Sequence, residues 1–340
     1  MGRCPRAVIL AGGQGERFWP LTHKQFPKYR IKFKGKRSLL QNTYERLLKV
    51  YRKENVYVVT TGAHAEFITN ELPRISPKNI FIEPFCNNTC AAITLACAKL
   101  RKMAGDEETV SFFPADHLIQ DGTRFKKTME RVIRLARHEE VLVTVGIQPT
   151  FPATGYGYIE KGRRIPKFPS AFRVKRFVEK PDRNRAARYV AGKKFYWNAG
   201  MFTWRLGVFL RAMKQHRSDI VKKLDLGRLQ SSYKKLPNIS IDRALMEKAG
   251  NIAVCPTTMD WCDLGSWDML FEKSPKATQN VYAQGLHYHQ ETNDSLIMNQ
   301  TKLPLIVLGV SGIVAVQTPR GTLICRKGRS EEAALLARQL

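Results

Sequence analysis

The strongest constraint on how this chain can fold is an alternation in its first 150 residues. Short apolar runs trade places with longer amphipathic stretches. RAVILA (6–11), NVYVVTT (55–61), NIFIEP (79–84), TVSFFPADH (109–117) and VLVTVGI (141–147) are β-branched or aromatic and end in turn residues, as buried strands do. Between them, 38–51, 64–72, 87–105 and 124–138 carry apolar residues at helical spacing. Ser38 and the Asn87–Thr89 cluster are helix-start residues, and Gly105 is a stop. Strands separated by helices cannot pair as tight hairpins, so each chain return is a crossover that sets the next strand parallel. The expected class is α/β: a Rossmann-like, mostly parallel sheet with helices on both faces.

Beyond residue 150 the pattern is less regular. ATGYGYIEKG (153–162) reads as a glycine-hinged loop entering a strand, FRVKRFVEKP (172–181) as an alternating strand stopped by Pro181, and KFYWNAGMFTWR (194–205) as an aromatic strand region. Helices are expected near 206–217 and 241–249. From about 275 only short β-like pieces remain, SLIMN, PLIVLGV, GIVAVQT and TLICRK, followed by a closing helix, SEEAALLARQL. The expected division is therefore 1–274 as a catalytic domain and 275–340 as a small β-rich C-terminal segment.

Charge is the unusual part of the composition. The chain has 57 Lys+Arg against 29 Asp+Glu, a formal net charge of +28. A disordered polyelectrolyte is excluded, because 43% of the residues are hydrophobic. The excess is +11 over 1–100, +10 over 101–200 and +7 over 201–340, so no basic tail is appended. A nucleic-acid partner would be motivated by charge alone, and a solvated basic surface explains the same count. No stretch is long and apolar enough for a membrane helix, and MGRCPRAVILAGG fits neither a signal peptide nor a myristoylation pattern. Cys4, Cys86, Cys90, Cys97, Cys255, Cys262 and Cys325 show no zinc spacing, and reduced thiols in a cytoplasmic protein are expected. His287 and His289 can share a strand face, but no third ligand accompanies them.

Four segments carry chemistry. In AGGQGERFWPLTHKQFPK (11–28) a strand runs into Gly12, Gly13 and Gly15, which let backbone N–H groups approach phosphate oxygens. Arg17 can pair bidentately with a phosphate and Lys28 adds a point charge. The loop matches neither the dinucleotide fingerprint nor the P-loop. In FFPADH (112–117) a strand delivers Asp116 to its C-terminal edge, where one carboxylate suits Mg²⁺. DWCDLGSW (260–267) offers Asp260 and Asp263 as a second source of carboxylate. FVEKP (177–181) with NAGMF (198–202) offers Glu179 and Asn198 to sugar hydroxyls and Lys180 to a sugar phosphate. Alone, each is also what an ordinary turn, cap or solvated strand end contains.

Taken together and in order, GGQGER…PK (12–28), EPFCNNT (83–89), PADH (114–117), TGYGYI (154–159), FVEKP (177–181), WNAGMF (197–202) and DWCDLGSW (260–267) resemble the sugar-1-phosphate nucleotidyltransferases, most of all their GDP-mannose-forming branch. The resemblance implies a nucleotide-diphospho-sugar transferase fold and one reaction: GTP plus mannose 1-phosphate gives GDP-mannose plus pyrophosphate. It implies that Ala11, Gly12, Gly13 and Gly15 cradle the nucleotide, that Arg17 steadies pyrophosphate, and that Lys28 lies near the α-phosphate. It implies further that Asn88 and Thr89 read the base, that Asp116 and Asp263 hold Mg²⁺, that Lys180 binds the sugar phosphate, and that Gly157, Glu179 and Asn198 face the sugar. A homodimer is a further implication. Longer members continue into an isomerase domain, so the resemblance implies a monofunctional chain here.

Departures from the family pattern fall near the base: Tyr29-Arg30 follow Lys28 where Gln-Phe is usual, Asn87 stands where Arg is common, and so does His23. Another nucleotide or hexose is the alternative they leave, with a non-catalytic nucleotide-sugar-binding regulator as a second. KYRIKFKGKR (28–37) places Lys28, Arg30, Lys32, Lys34 and Lys36 at period two, which in an extended chain lines one face with cations beside the site.

Overall fold

A computed structural model describes residues 4–13, 15–33, 35–276, 278–336 and 339. The chain forms two compact units: Met1–Gly12 with Leu40–Cys262, and Gly13–Leu39 with Asp263–Leu340.

The first unit is built on one nine-stranded sheet. Its order is Ile80–Glu83, Val56–Thr61, Arg6–Ala11, Thr109–Pro114, Phe195–Arg205, Leu142–Ile147, Ile252–Thr257, Phe168–Val178, Tyr158–Ile165. Seven of the nine strands run one way; only Phe168–Val178 and Phe195–Arg205 are reversed. Successive side chains of a strand point to opposite faces, and Phe112 and Phe113 show that both faces are covered. Phe112 packs 5.2 Å from Trp204, in a core shared with the Asn88–Ala104 and Leu206–His216 helices. Phe113 packs 5.9 Å from Phe125 of the Gly122–His138 helix. That helix is N-capped by Asp121, whose side chain accepts from Arg124 N. The expected α/β sheet with helices on both faces is therefore observed.

The strand order reverses at Arg6–Ala11. The chain first moves outward to Val56–Thr61 and Ile80–Glu83, then crosses back to Thr109–Pro114 on the other side. The crevice beyond the carboxyl ends of Arg6–Ala11 and Thr109–Pro114 is thus a topological switch point, the place where open α/β sheets bind ligands. Gly12 leaves one strand there and Asp116 follows the other. Ala115 N donates to Leu10 O at 3.2 Å and ties the two exits together.

In the second unit the C-terminal β-rich segment is a coil of parallel rungs. Tyr282–Gln284, Leu296–Asn299 and Ile313–Thr318 pair in parallel, Gly321–Arg326 closes that sheet antiparallel, and His287–Gln290 pairs in parallel with Leu305–Leu308. Val281, Ile297 and Val307 stack inside the coil. The Gly13–Leu39 segment belongs to this unit. Phe18 meets the Trp267 ring at 4.9 Å, Trp267 Nε1 donates to Trp19 O at 3.0 Å, and Thr318 Oγ1 donates to Pro20 O at 3.3 Å.

The basic run at 28–37 is not one extended face. Lys28–Arg30 is a tight helical turn in which Lys28 is buried, while Lys32 and Lys36 are exposed; Lys34 lies outside the described residues. All seven cysteines are free thiols. Among the described residues no helix is long and apolar enough to cross a membrane.

Candidate active site

Of the residues expected at the site, Ala11, Gly12, Asn88, Thr89, Asp116, Gly157, Glu179, Lys180 and Asn198 lie in the first unit. Gly13, Gly15, Arg17, Lys28 and Asp263 lie in the second.

Gly12 has a packing reason to be glycine. A Cβ there would stand 2.9 Å from Glu83 Oε1. Glu83 is buried, accepts from the Tyr233 hydroxyl at 2.5 Å, and is pushed up to about 7 by burial, partly offset by that hydrogen bond. Cys86 Sγ donates to Gly12 O at 3.3 Å, so the loop leaves the sheet over an acid and a thiol. The start of the Asn88–Ala104 helix is tied to residues 236–241. Asn87 Nδ2 donates to Leu236 O at 3.0 Å, Asn88 Nδ2 donates to Asn238 Oδ1 at 3.0 Å, and Thr89 Oγ1 accepts from Ile241 N at 2.9 Å.

The raised carboxyl of Glu83 has a thermodynamic consequence. Between its ordinary 4.5 and about 7 the folded chain keeps a proton that the unfolded chain releases, so stability is lost as pH rises through that window. Glu83→Gln is expected to shrink the fall in Tm between pH 5 and pH 8. An unchanged fall in the variant would mean that another group carries it.

Asp116 is half-buried in the turn after Thr109–Pro114. Its neighbour His117 accepts from Trp261 Nε1 at 3.1 Å, beside the pairing of Leu118–Ile119 with Trp261–Cys262. Trp261 lies 5.3 Å from Tyr156, which lies 5.1 Å from Trp197. An aromatic wall thus runs from the Asp116 turn to the strand carrying Asn198.

Gly157, Glu179, Lys180 and Asn198 come together. A Cβ on Gly157 would stand 2.7 Å from Glu179 Oε2 and 3.3 Å from Asn198 Cβ. Lys180, held at φ +48°, keeps its ammonium 3.5 Å from Glu179 Oε1. Asn198 is oriented at both ends of its amide: Oδ1 accepts from Thr144 Oγ1 at 2.8 Å and Gly200 N at 3.2 Å, and Nδ2 donates to Asp242 Oδ1 at 2.9 Å. Glu247 Oε1 accepts from Glu179 N at 2.9 Å. Burial raises both Glu179 and Asp242; Lys180 pulls Glu179 back, while the Glu179 charge raises Asp242 further.

Sequence reasoning missed Asp242 and Glu247, for a geometric reason. Five residues apart, they would face different ways on an α-helix. Here Asp242–Met246 is a π-helical turn whose i→i+5 bond, Glu247 N to Asp242 O at 2.9 Å, brings them round together. No residue pattern announces such a turn.

In the second unit Arg17 and Asp263 meet at Gly265, and Lys28 meets the Asp263 backbone. A Cβ at Gly265 would lie 3.0 Å from Arg17 Nη1 and 3.1 Å from Asp263 Oδ1. The buried Lys28 ammonium donates to the Asp263 backbone carbonyl. Gly15, at φ +70°, packs against Lys28 so closely that a Cβ would stand 2.4 Å from Lys28 Cβ. At Gly13 a Cβ would meet, among the described residues, no atom within 4 Å beyond its chain neighbours. Among the described residues no group of three or more His, Cys, Asp or Glu is placed to hold a metal ion.

Gly12 and Asp116 stand at the switch point of an α/β sheet, where proteins of this class bind their ligands. The nucleotidyl transferase family model matches residues 6–280, and the chain belongs to that family of enzymes. It is 36% identical over 336 residues to mannose-1-phosphate guanylyltransferase RfbM of Salmonella typhimurium, covering 94% of this chain and 69% of that protein. It is 34% identical over 351 residues to alginate biosynthesis protein AlgA of Pseudomonas putida, covering 98% and 71%. The crystal structure of mannose-1-phosphate geranyltransferase from Thermus thermophilus superposes with a TM-score of 0.88 at 28% identity, over 99% of both chains.

Proposed function

We propose that this enzyme transfers the guanylyl group of GTP to mannose 1-phosphate, giving GDP-mannose and pyrophosphate. The observation that carries the reading is the linkage of Arg17, Lys28 and Asp263: Arg17 and the Asp263 carboxylate meet at Gly265, and Lys28 donates to the Asp263 backbone. Two cations and a carboxylate so arranged suit the phosphates of a nucleotide and a divalent cation, and relatives named for this activity match nearly the whole chain.

A sugar-phosphate oxygen forms a bond to the α-phosphorus while the bond from α-phosphorus to the bridging oxygen breaks, and pyrophosphate leaves with the electron pair. The attacking oxygen is already ionised, so no protein base is required. Catalysis is then positioning and charge neutralisation. Lys28 is assigned to the α-phosphate, Arg17 to the departing pyrophosphate, Lys180 to the sugar phosphate, and Gly157, Glu179 and Asn198 to sugar hydroxyls. The loop from Ala11 through Gly15 is assigned to nucleotide phosphates, and Asn88 and Thr89 to the base. Asp116 and Asp263 are assigned to Mg²⁺, which takes hard carboxylate oxygens alongside phosphate oxygens. Bound there, Mg²⁺ would neutralise phosphate charge.

Pyrophosphate release measured for four NTPs against three hexose 1-phosphates, with Mg²⁺ and with chelator, tests this. The expected result is fastest turnover for GTP with mannose 1-phosphate and none under chelation. Fastest turnover with another pair reassigns specificity. Binding without turnover in every well would leave a regulator.

A further inference from the structure

The closing helix, Ser330–Leu336, is seated by its first turn. Asp268 accepts from Gly328 N, from Ser330 Oγ and from Ser330 N, the last at 3.3 Å. Asp268 belongs to the short helix Trp267–Lys273, whose Trp267 also fixes the Phe18–Trp19 turn. One short helix therefore holds both the turn that carries Arg17 and the start of the closing helix. Glu331, next after Ser330, stands with Oε1 3.5 Å from Arg17 Nη1.

This ion pair does little for the fold. The two side chains are 47% and 63% exposed, and pairs so open to water contribute little to stability. A cavity of about 560 Å³ bounded by Trp19, Leu323, Cys325, Arg329, Ala333 and Leu336 lies beside the helix. What the pair does is give Arg17 a resident anion on the side where Gly265 and Asp263 stand.

We propose that Glu331 is a positioning residue for the transfer reaction: it holds the Arg17 guanidinium between turnovers and yields it to the phosphates of the bound nucleotide. The inference rests on the reading of Arg17 as a phosphate ligand. A single carboxylate is a weaker partner for a guanidinium than a multiply charged phosphate, so the exchange favours substrate, and Glu331 competes again as pyrophosphate leaves. Asp268 acts one step back, by setting where Glu331 stands.

The test compares Glu331→Gln, Asp268→Asn, the double variant and Arg17→Gln in the full chain. Binding of inorganic pyrophosphate is measured by calorimetry, alongside KM for GTP and kcat. Without the competing carboxylate, Glu331→Gln should bind pyrophosphate about two- to five-fold more tightly at low salt. KM for GTP should fall by the same factor, with little change in kcat. The difference should fade near 1 M KCl, where the Debye length is about 3 Å. Asp268→Asn should shift affinity in the same direction, and the double variant should add little to Glu331→Gln. Unchanged pyrophosphate affinity in Glu331→Gln, with Arg17→Gln clearly weakened, overturns the role of Glu331 and leaves the reaction assignment standing. Unweakened binding in Arg17→Gln overturns the phosphate role of Arg17 and this inference with it. Full additivity in the double variant removes Asp268 from the account and shows that Glu331 is not seated through it.

Discussion

Replacing Lys28 with Met should lower turnover by about 10²–10³-fold while the chain stays folded. Lys28 is almost fully buried, with its ammonium on the Asp263 carbonyl. A buried ammonium forfeits its hydration and depends on protein partners, the Asp263 carbonyl among them. Lys28 is assigned to the α-phosphate, so its charge would act where negative charge develops during transfer. Met keeps most of the stem and its packing, so the chain should stay folded: the variant loses a buried charge and leaves the Asp263 carbonyl short of a donor. The loss should therefore appear in kcat, with circular dichroism close to wild type. Near-wild-type kcat in a folded Lys28→Met chain would remove Lys28 from the mechanism.

Gly15→Ala should be nearly as damaging, by a different route. The residue sits at φ +70°, where an alanine costs about 1–2 kcal/mol. Its Cβ would also stand 2.4 Å from Lys28 Cβ and 3.2 Å from Lys28 N. Neither neighbour is the free end of a flexible chain, so the turn and Lys28 must move apart. A displacement of about 1 Å at a positioning group costs on the order of 10²-fold in rate. Gly13→Ala is the control, because among the described residues a Cβ there meets no atom within 4 Å beyond its chain neighbours. Gly13→Ala should fold as wild type, with any loss confined to nucleotide affinity. Steady-state kinetics and Tm on both variants separate the cases. Equal behaviour of the two would show that the Gly15–Lys28 packing does not matter.

Much of the fold was legible because the first 150 residues repeat one physical motif. Short β-branched runs separated by capped amphipathic helices leave few arrangements other than a parallel sheet covered on both faces. The Phe112–Trp204 and Phe113–Phe125 contacts are that rule at the level of side chains. The candidate site was legible where residue type and chemistry coincide, as with glycines beside a strand end or Asp116 just past a strand. It was not legible where backbone geometry departs from a standard period. Asp242 and Glu247 share a side only through a π-helical turn. The cationic run beginning at Lys28 looked like one exposed stripe by its spacing of two, but a helical turn at Lys28–Arg30 sends Lys28 inward and leaves Lys32 outside. Gly12 reads in sequence as a phosphate-loop glycine. The structure adds that the buried Glu83 carboxyl leaves no room for a side chain there.

By itself the sequence determined the α/β class, the strand ends at which ligands can bind, and the residue types able to hold phosphate. Local propensity and hydrophobic period act over a few residues and survive in any context that buries the right faces. Only the tertiary structure decided that residues 13–39 join the C-terminal coil in one compact unit, that the Lys28 ammonium rests on the carbonyl of Asp263, and that Glu331 faces Arg17. Those relations join positions hundreds of residues apart. They depend on how Phe18 and Trp19 pack with Trp267 and on how Asp268 seats the last helix, and no pattern confined to neighbouring residues encodes such contacts.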